Sequence, residues 1–281
     1  MSHPLPADSA TRPGVPVELA ALERGAGPVV TLIHGGIFHS GPTWARQIGP
    51  LATEGYRVLA VDRRGYGRSP DARAPAGERI SVALQAADVW HTLDLREAPA
   101  SHLVGISYGA LVALEAALAR PEACTSLTLI EPGLLAWLAD DADYGPWLQR
   151  WRELEARGAS GAPLEEWLGE FLSLIDPQMA RDLAPGSPAY GILERALPHE
   201  WEEESASTYQ PDPEALAALG VPTLIVTGAD SEPAPHAIAE LMAERIAGAT
   251  QAEIEGAGHA LQAEQPDAFN RLLLGFLALQ A

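Results

Sequence analysis

The sequence predicts an α/β protein: a mostly parallel central sheet flanked by helices and interrupted by one long helical insertion. Three observations lead there. Short apolar runs alternate with helical stretches through the first 131 residues, and the alternation stops from Pro132 to about Gly220. That interval carries Trp137, Trp147, Trp151, Trp167 and Trp201, most of the tryptophan in the chain. Strand and helix patterns then resume and continue to Ala281. Strands separated by helices need crossover connections, which give parallel neighbours with helices on both faces.

Taken in order, residues 1–14 contain Pro, Ser and Asp without the apolar stretch of a secretory signal and read as a disordered lead-in. Val29 to Ile33 is a buried-strand pattern bounded by Pro28 and by Gly35-Gly36. A helical stretch from about Thr43 to Glu54 leads to the strand run Arg57 to Asp62, and a second, about Ile80 to Arg96, leads to the run Ser101 to Gly105. Ala110 to Ala119 carries helix formers and is followed by Pro121, after which Ser126 to Ile130 is extended. In the insertion, Trp147, Trp151 and Leu154 fall at helical spacing, and Leu164, Trp167, Leu168, Phe171, Leu172 and Ile175 form an amphipathic stripe. Thr223 to Gly228 reads as a strand, Pro235 to Ile246 as a helix, Gln251 to Glu255 as a last strand and Pro266 to Leu279 as a final helix. The division is therefore a core of residues 15–131 and 221–281 around an insertion of residues 132–220.

Composition removes several function classes. The formal charge of −20 over 281 residues argues against a partner that is itself a polyanion, so no nucleic acid is expected. All 18 basic residues are arginine. Without lysine there is no pyridoxal Schiff base, no Walker-type phosphate loop, no Ser-Lys dyad and no kinase site. The single cysteine, Cys124, cannot form an internal disulfide or a multi-thiolate metal site, which is compatible with a reducing, cytoplasmic setting. Apolar stretches such as Leu272 to Leu279 fall far short of the ~20 residues that span a bilayer, so no membrane association is expected.

The sharpest chemical signal is Gly105-Ile106-Ser107-Tyr108-Gly109, directly after one strand pattern and directly before a helix pattern. In such an elbow the glycines allow a cramped turn that lifts the serine hydroxyl above the sheet, and the next backbone N–H faces a developing oxyanion. Three further motifs stand in order around it: His34-Gly35-Gly36 after the first long strand, Asp62-Arg63-Arg64-Gly65-Tyr66-Gly67-Arg68-Ser69 after the next, and Gly256-Ala257-Gly258-His259 after the last.

With these four motifs the chain resembles the α/β-hydrolase-fold superfamily, in its serine-nucleophile branch with a helical cap, from about Val15 to Ala281. The resemblance implies Ser107 as nucleophile, His259 as base, and an oxyanion hole from the backbone N–H groups of Gly36, with Ile37 as the alternative, and Tyr108. It implies no cofactor, and no His-Glu-x-x-His or comparable ligand spacing in the sequence suggests a metal. In most relatives the triad acid stands three residues after the glycine ending the penultimate strand, a position held here by Ser231. The preferred candidate is Glu131, at the end of the strand beside the nucleophile strand, where resemblance to zearalenone-lactonase-like hydrolases would place the acid. Asp230 is the alternative if a bulge follows Gly228, and Glu232 a third choice.

Other residues carry plainer readings. His34 reads as organising its loop, because His259 holds the base position. His39, His91, His102, His199 and His236 read as surface or packing residues, and Asp62 and Arg64 as turn architecture. Gly65-x-Gly67 lacks a third glycine and meets Pro70 before any helix, which is no dinucleotide site. The run Glu202-Glu203-Glu204 reads as a solvated face. Most cap tryptophans should join cap helices to one another, yet a cap overlies the strand ends where α/β ligands bind, so Trp137, Trp151, Trp167 and Trp201 are candidates to line an apolar substrate pocket.

The function expected is a cofactor-independent serine hydrolase, monomeric or homodimeric, cleaving a small-molecule ester or lactone with a large apolar portion through an acyl-enzyme. A carbon–carbon bond hydrolase or a perhydrolase using the same triad, and a small-molecule receptor with a vestigial triad, are the rival readings.

Overall fold

The computed structural model describes residues 14–70, 79–187, 190–191 and 203–280. All but Gly14 of the lead-in expected at residues 1–14 therefore falls outside the described residues, as do His199, Trp201 and Glu202.

The sheet is built from β1 (Ala21–Arg24), β2 (Val29–Ile33), β3 (Arg57–Val61), β4 (Ser101–Ile106), β5 (Cys124–Ile130), β6 (Thr223–Gly228) and β7 (Thr250–Ile254). Its order is β1-β3-β2-β4-β5-β6-β7, with every pair parallel except β1 on β3. The central strands are apolar on both faces, as expected when helices cover both. Val30, Leu32, Val58, Ala60, Val104 and Ile106 point into one core. Ile33, Leu59, Val61, Leu103, Leu127 and Leu129 point into the other.

Most helices match the sequence pattern closely: α3 (Val82–Leu95), α4 (Tyr108–Ala119), α9 (Pro233–Arg245) and α11 (Pro266–Ala278). Ser81 Oγ caps α3 by accepting from Leu84 N at 3.1 Å. Trp90 on α3 donates its indole N–H to Ala116 O at 2.8 Å, which locks α3 to α4.

Two departures have local causes. The stretch Thr43 to Glu54 is two short helices, α1 (Ser40–Trp44) and α2 (Ile48–Thr53), not one. Pro50 has no N–H to donate back to Arg46 O, so a continuous helix would lose a rung there; Arg46 O accepts instead from Asn270 Nδ2 at 2.9 Å. The edge strand β1 has no counterpart in the sequence reading. Its residues are half-exposed or exposed, so it carries no apolar signature.

The insertion holds a 3₁₀ turn (Leu135–Leu138), α5 (Gly145–Ala159), a second 3₁₀ turn (Leu164–Glu166), α6 (Leu168–Ile175), α7 (Pro177–Asp182) and α8 (Pro213–Ala217). Trp151 of α5 packs on Phe171 of α6 with ring centroids 4.7 Å apart, and Trp167 meets the same ring at 5.8 Å. A short α10 (Leu261–Glu264) follows β7. Among the described residues no helix is long and apolar enough to cross a membrane.

Candidate active site

Every motif singled out in the sequence sits at the C-terminal edge of the sheet, because each follows a parallel strand. Ser107 joins β4 to α4 with φ 54° and ψ −122°, a conformation that L-residues rarely hold and that the surroundings must enforce. The packing does enforce it. A Cβ on Gly105 would lie 2.2 Å from Gly109 O, and one on Gly109 would lie 2.3 Å from His34 O, so neither glycine can carry a side chain. Ser107 N donates to Ile130 O at 2.8 Å, tying the elbow to the end of β5.

The loop after β2 approaches the elbow from the other side. His34 is fully buried; its Nε2 accepts from Arg63 N at 2.8 Å and its Nδ1 lies 2.7 Å from Gly35 O. Burial above all, with the neighbouring Arg63 charge, lowers its pKa to about 3, so His34 is neutral. The ring organises the loop and takes no part in proton transfer. Asp62 and Arg64 are likewise built into the turn after β3: Asp62 Oδ1 accepts from Ser40 N at 3.0 Å, and Arg64 forms a two-point pair with Asp88 at 2.7 and 2.6 Å.

The carboxylate that faces His259 is that of Glu131. Glu131 follows β5, is 2% exposed and holds φ 46°, a positive value that turns its side chain across the ends of β5 and β6. Its Oε1 accepts from Gly228 N and from Ser231 Oγ, each at 2.8 Å. That leaves Oε2 for His259, whose Nδ1 lies 3.3 Å away. Asp230 is exposed and its backbone N–H donates to Ala257 O at 2.9 Å. Ser231, at the position where the resemblance placed an acid, instead donates to Glu131.

These groups open onto one chamber that is continuous with solvent. Gly36, Ile37, Ser107, Tyr108, Glu131 and His259 form its polar floor. Leu135, Trp147, Trp151, Leu174, Ile175 and Ile238 supply apolar walls. Of the tryptophans proposed from sequence, Trp151 reaches the chamber. Trp137 lies off it beneath Arg245, whose guanidinium carbon is 4.7 Å from the ring centre. Trp167 is 2% exposed, packs on Phe171 and donates to Ala162 O at 3.3 Å. Trp201 lies outside the described residues. Trp147, one turn before Trp151 on α5, was legible only as part of the helical spacing.

The reading of Glu202-Glu203-Glu204 as a solvated face needs correction. Glu203 is 1% exposed and ion-paired with Arg63 at 2.5 Å, 140 residues away in the chain. A solvated glutamate needs no partner, but this one lies where the insertion returns to the core.

Comparison with known proteins places these observations in context. Residues 28–266 match the family model described as the alpha/beta hydrolase fold. A putative carbamate hydrolase RutD from Azorhizobium caulinodans is 30% identical over 269 residues, covering 90% of this chain and 92% of that one. Among solved structures, a hydrolase from Pseudomonas aeruginosa PA01 is 28% identical with a TM-score of 0.74, covering 92% of this chain and 94% of its own. Est816, described as an N-acyl homoserine lactone degrading enzyme, is 26% identical with a TM-score of 0.63, covering 92% and 96%.

Proposed function

The chain belongs to the alpha/beta-hydrolase-fold family, and from that premise we propose that it is a cofactor-independent serine hydrolase of apolar esters or lactones, working through an acyl-enzyme on Ser107. One observation carries the reading. A serine held in a strained elbow shares its chamber with a histidine that faces a buried, doubly hydrogen-bonded carboxylate.

In this scheme Glu131 accepts the Nδ1–H of His259 and fixes the tautomer with a bare Nε2. His259 takes the hydroxyl proton of Ser107 as its oxygen attacks the carbonyl. The oxyanion is held by the backbone N–H groups of Gly36, or of Ile37, and Tyr108. Collapse releases the alcohol, protonated by His259; water then attacks the acyl-enzyme by the same route and frees the acid. Residues 132–220 act as the cap, and residues 15–131 with 221–281 as the core. The reaction takes place in the cytoplasm, in a protein that works as a monomer or homodimer.

The walls favour the ester or lactone reading. Among the described residues the chamber lining holds no arginine, and its carboxylate belongs to the site itself. A carboxylate-bearing substrate would therefore be desolvated there without a counter-charge. The lactone activity in Est816's description fits such walls better than a small polar carbamate does. The test is labelling with a serine-directed fluorophosphonate, followed by a panel of p-nitrophenyl esters and lactones of graded acyl length. Labelling of Ser107 and turnover that rises with acyl length support the reading. Labelling without sustained turnover on any ester or lactone would favour the receptor alternative.

A further inference from the structure

The Arg63–Glu203 pair is buried, charged and unused by the reaction scheme, yet it touches the loop that carries the oxyanion donors. The Arg63 guanidinium spends its donors in four directions. Nε donates to His34 O at 3.1 Å and Nη2 to Gly35 O at 3.0 Å. Nη1 donates to Gln85 Oε1 at 2.6 Å and to Glu203 Oε1 at 2.5 Å. Its carbon, Cζ, lies over the rings of Tyr66 and Tyr108, 4.5 and 4.7 Å from their centres.

Peptide planarity gives the Gly35 contact its meaning. In a trans peptide the C=O of one residue and the N–H of the next point in opposite directions. Pinning Gly35 O on the Arg63 side therefore aims Gly36 N–H the other way, and Gly36 lines the chamber.

The next residue along the insertion holds the other half of the site. Glu204 O accepts from Tyr108 Oη at 2.8 Å, while its Oε2 accepts from Val82 N at 3.0 Å and its N–H donates to Ile80 O at 2.8 Å. Two consecutive residues at the return of the insertion thus reach both residues expected to cradle the oxyanion. Glu203 reaches the Gly36 peptide through Arg63, and Glu204 reaches Tyr108 directly.

We propose that Arg63, Glu203 and Glu204 are positioning residues that set the oxyanion hole, so that the seating of the cap and the aim of both oxyanion donors are one mechanical unit. The inference rests on the reading of Ser107 as nucleophile. Arg63 needs Glu203 because an unpaired guanidinium at 1% exposure would be severely penalised. Glu203 in turn is placed by the backbone bridge to Ile80.

The experiment uses the fluorophosphonate, whose phosphoryl oxygen occupies the oxyanion hole as it reacts and which needs no knowledge of the natural substrate. Arg63→Met alone could fail to fold, because it strands Glu203. Replacement of both partners, Arg63→Met with Glu203→Leu, removes the charges together and is commonly tolerated. A second variant, Tyr108→Phe, deletes one oxygen, cutting the Glu204 tie together with the longer contact from Gln85 Nε2 at 3.4 Å, and leaves the Arg63–Glu203 pair in place. Removing one oxyanion donor outright costs about 10²–10³ in rate, so a donor left in place but loosened should cost about 10–100-fold. The expected result is phosphonylation of Ser107 slowed by that factor in the double variant and by a smaller factor in Tyr108→Phe. On an ester that turns over, the loss should fall on kcat, with KM within about threefold of wild type. A merely structural pair would lower the melting temperature and leave labelling unchanged. Labelling of both variants within threefold of wild type overturns the inference while leaving Ser107 as nucleophile. Wild-type protein that is neither labelled nor active overturns the parent reading itself.

Discussion

Glu131→Gln is the most informative single substitution, because the hydrogen bonds around it dictate how the new amide must sit. Glu131 Oε1 receives two donors, Gly228 N and Ser231 Oγ, and the first is a backbone N–H that cannot reverse. An amide nitrogen turned toward Gly228 would set donor against donor, so the glutamine carbonyl must take that side. Its NH₂ then faces His259 Nδ1, which lies 3.3 Å from Oε2 in the native arrangement. A ring nitrogen facing a donor must be the acceptor, so the imidazole proton moves to Nε2. That tautomer cannot accept the Ser107 proton. The shape and packing are unchanged, so the loss should appear in catalysis, at roughly 10³–10⁴-fold in kcat, with the melting temperature within a few degrees of wild type. Asp230→Asn, at an exposed position whose side chain does not reach the ring, should stay within twofold. Steady-state hydrolysis of a p-nitrophenyl ester checks both. Retention of a tenth of the activity by Glu131→Gln, or an equal fall in Asp230→Asn, would refute the assignment of Glu131 as the acid.

Further expectations concern the nucleophile, the buried histidine and the walls. Ser107→Ala should lower kcat by about 10⁴–10⁶-fold with the fold retained, and Ser107→Gly should melt higher than Ser107→Ala because glycine relieves the positive φ; equal melting temperatures would show that the elbow is unstrained. His34 is held neutral with its pKa near 3, so the unfolded chain binds the extra proton: stability should be full above about pH 6.5 and fall as pH drops toward 3, by about 1.4 kcal/mol per unit. Urea midpoints at pH 5 and 7 should show a smaller drop in His34→Gln than in wild type, and equal drops would contradict it. Trp147→Ala and Trp151→Ala should shift acyl-length preference toward longer chains, whereas Trp167→Ala, off the chamber, should lower the melting temperature and leave the preference alone.

The sequence displayed those parts whose signal is local. Strands β2 to β6 show as apolar runs because both their faces are buried, and the elbow shows because two glycines that can carry no side chain stand at fixed spacing around the serine. Edge strand β1 left no trace, since Ala21–Arg24 pairs on one side only and buries little. The break between α1 and α2 starts from Pro50, but the partner that takes the carbonyl Pro50 leaves open is Asn270, more than 200 residues away. Glu203 looked solvated for the same reason: one glutamate in a run of three announces nothing, and its partner lies on the far side of the insertion in sequence. The tryptophans illustrate a further limit. Helical spacing shows that a ring faces inward, but not whether it faces the neighbouring helix, as Trp167 does, or the chamber, as Trp151 does.

Placing the carboxylate at the end of β5 also alters how the chain could be recombined. Ser107 and Glu131 then belong to one uninterrupted stretch of 25 residues that closes before the insertion begins. Any length of foreign helix could be grafted between that stretch and β6 without coming between nucleophile and acid, and only His259 would have to be brought back into register. With Glu131 as the proposed acid, what the end of β6 and the loop after it offer to that carboxylate is the Gly228 N–H and the Ser231 hydroxyl. A donor segment for such a graft should still end in an equivalent of Glu203-Glu204, since these two residues are where the exchanged part plugs into the part that stays. The protein is in this sense a cassette with a defined connector, and exchange libraries cut on either side of that connector are expected to differ sharply in the fraction of active clones.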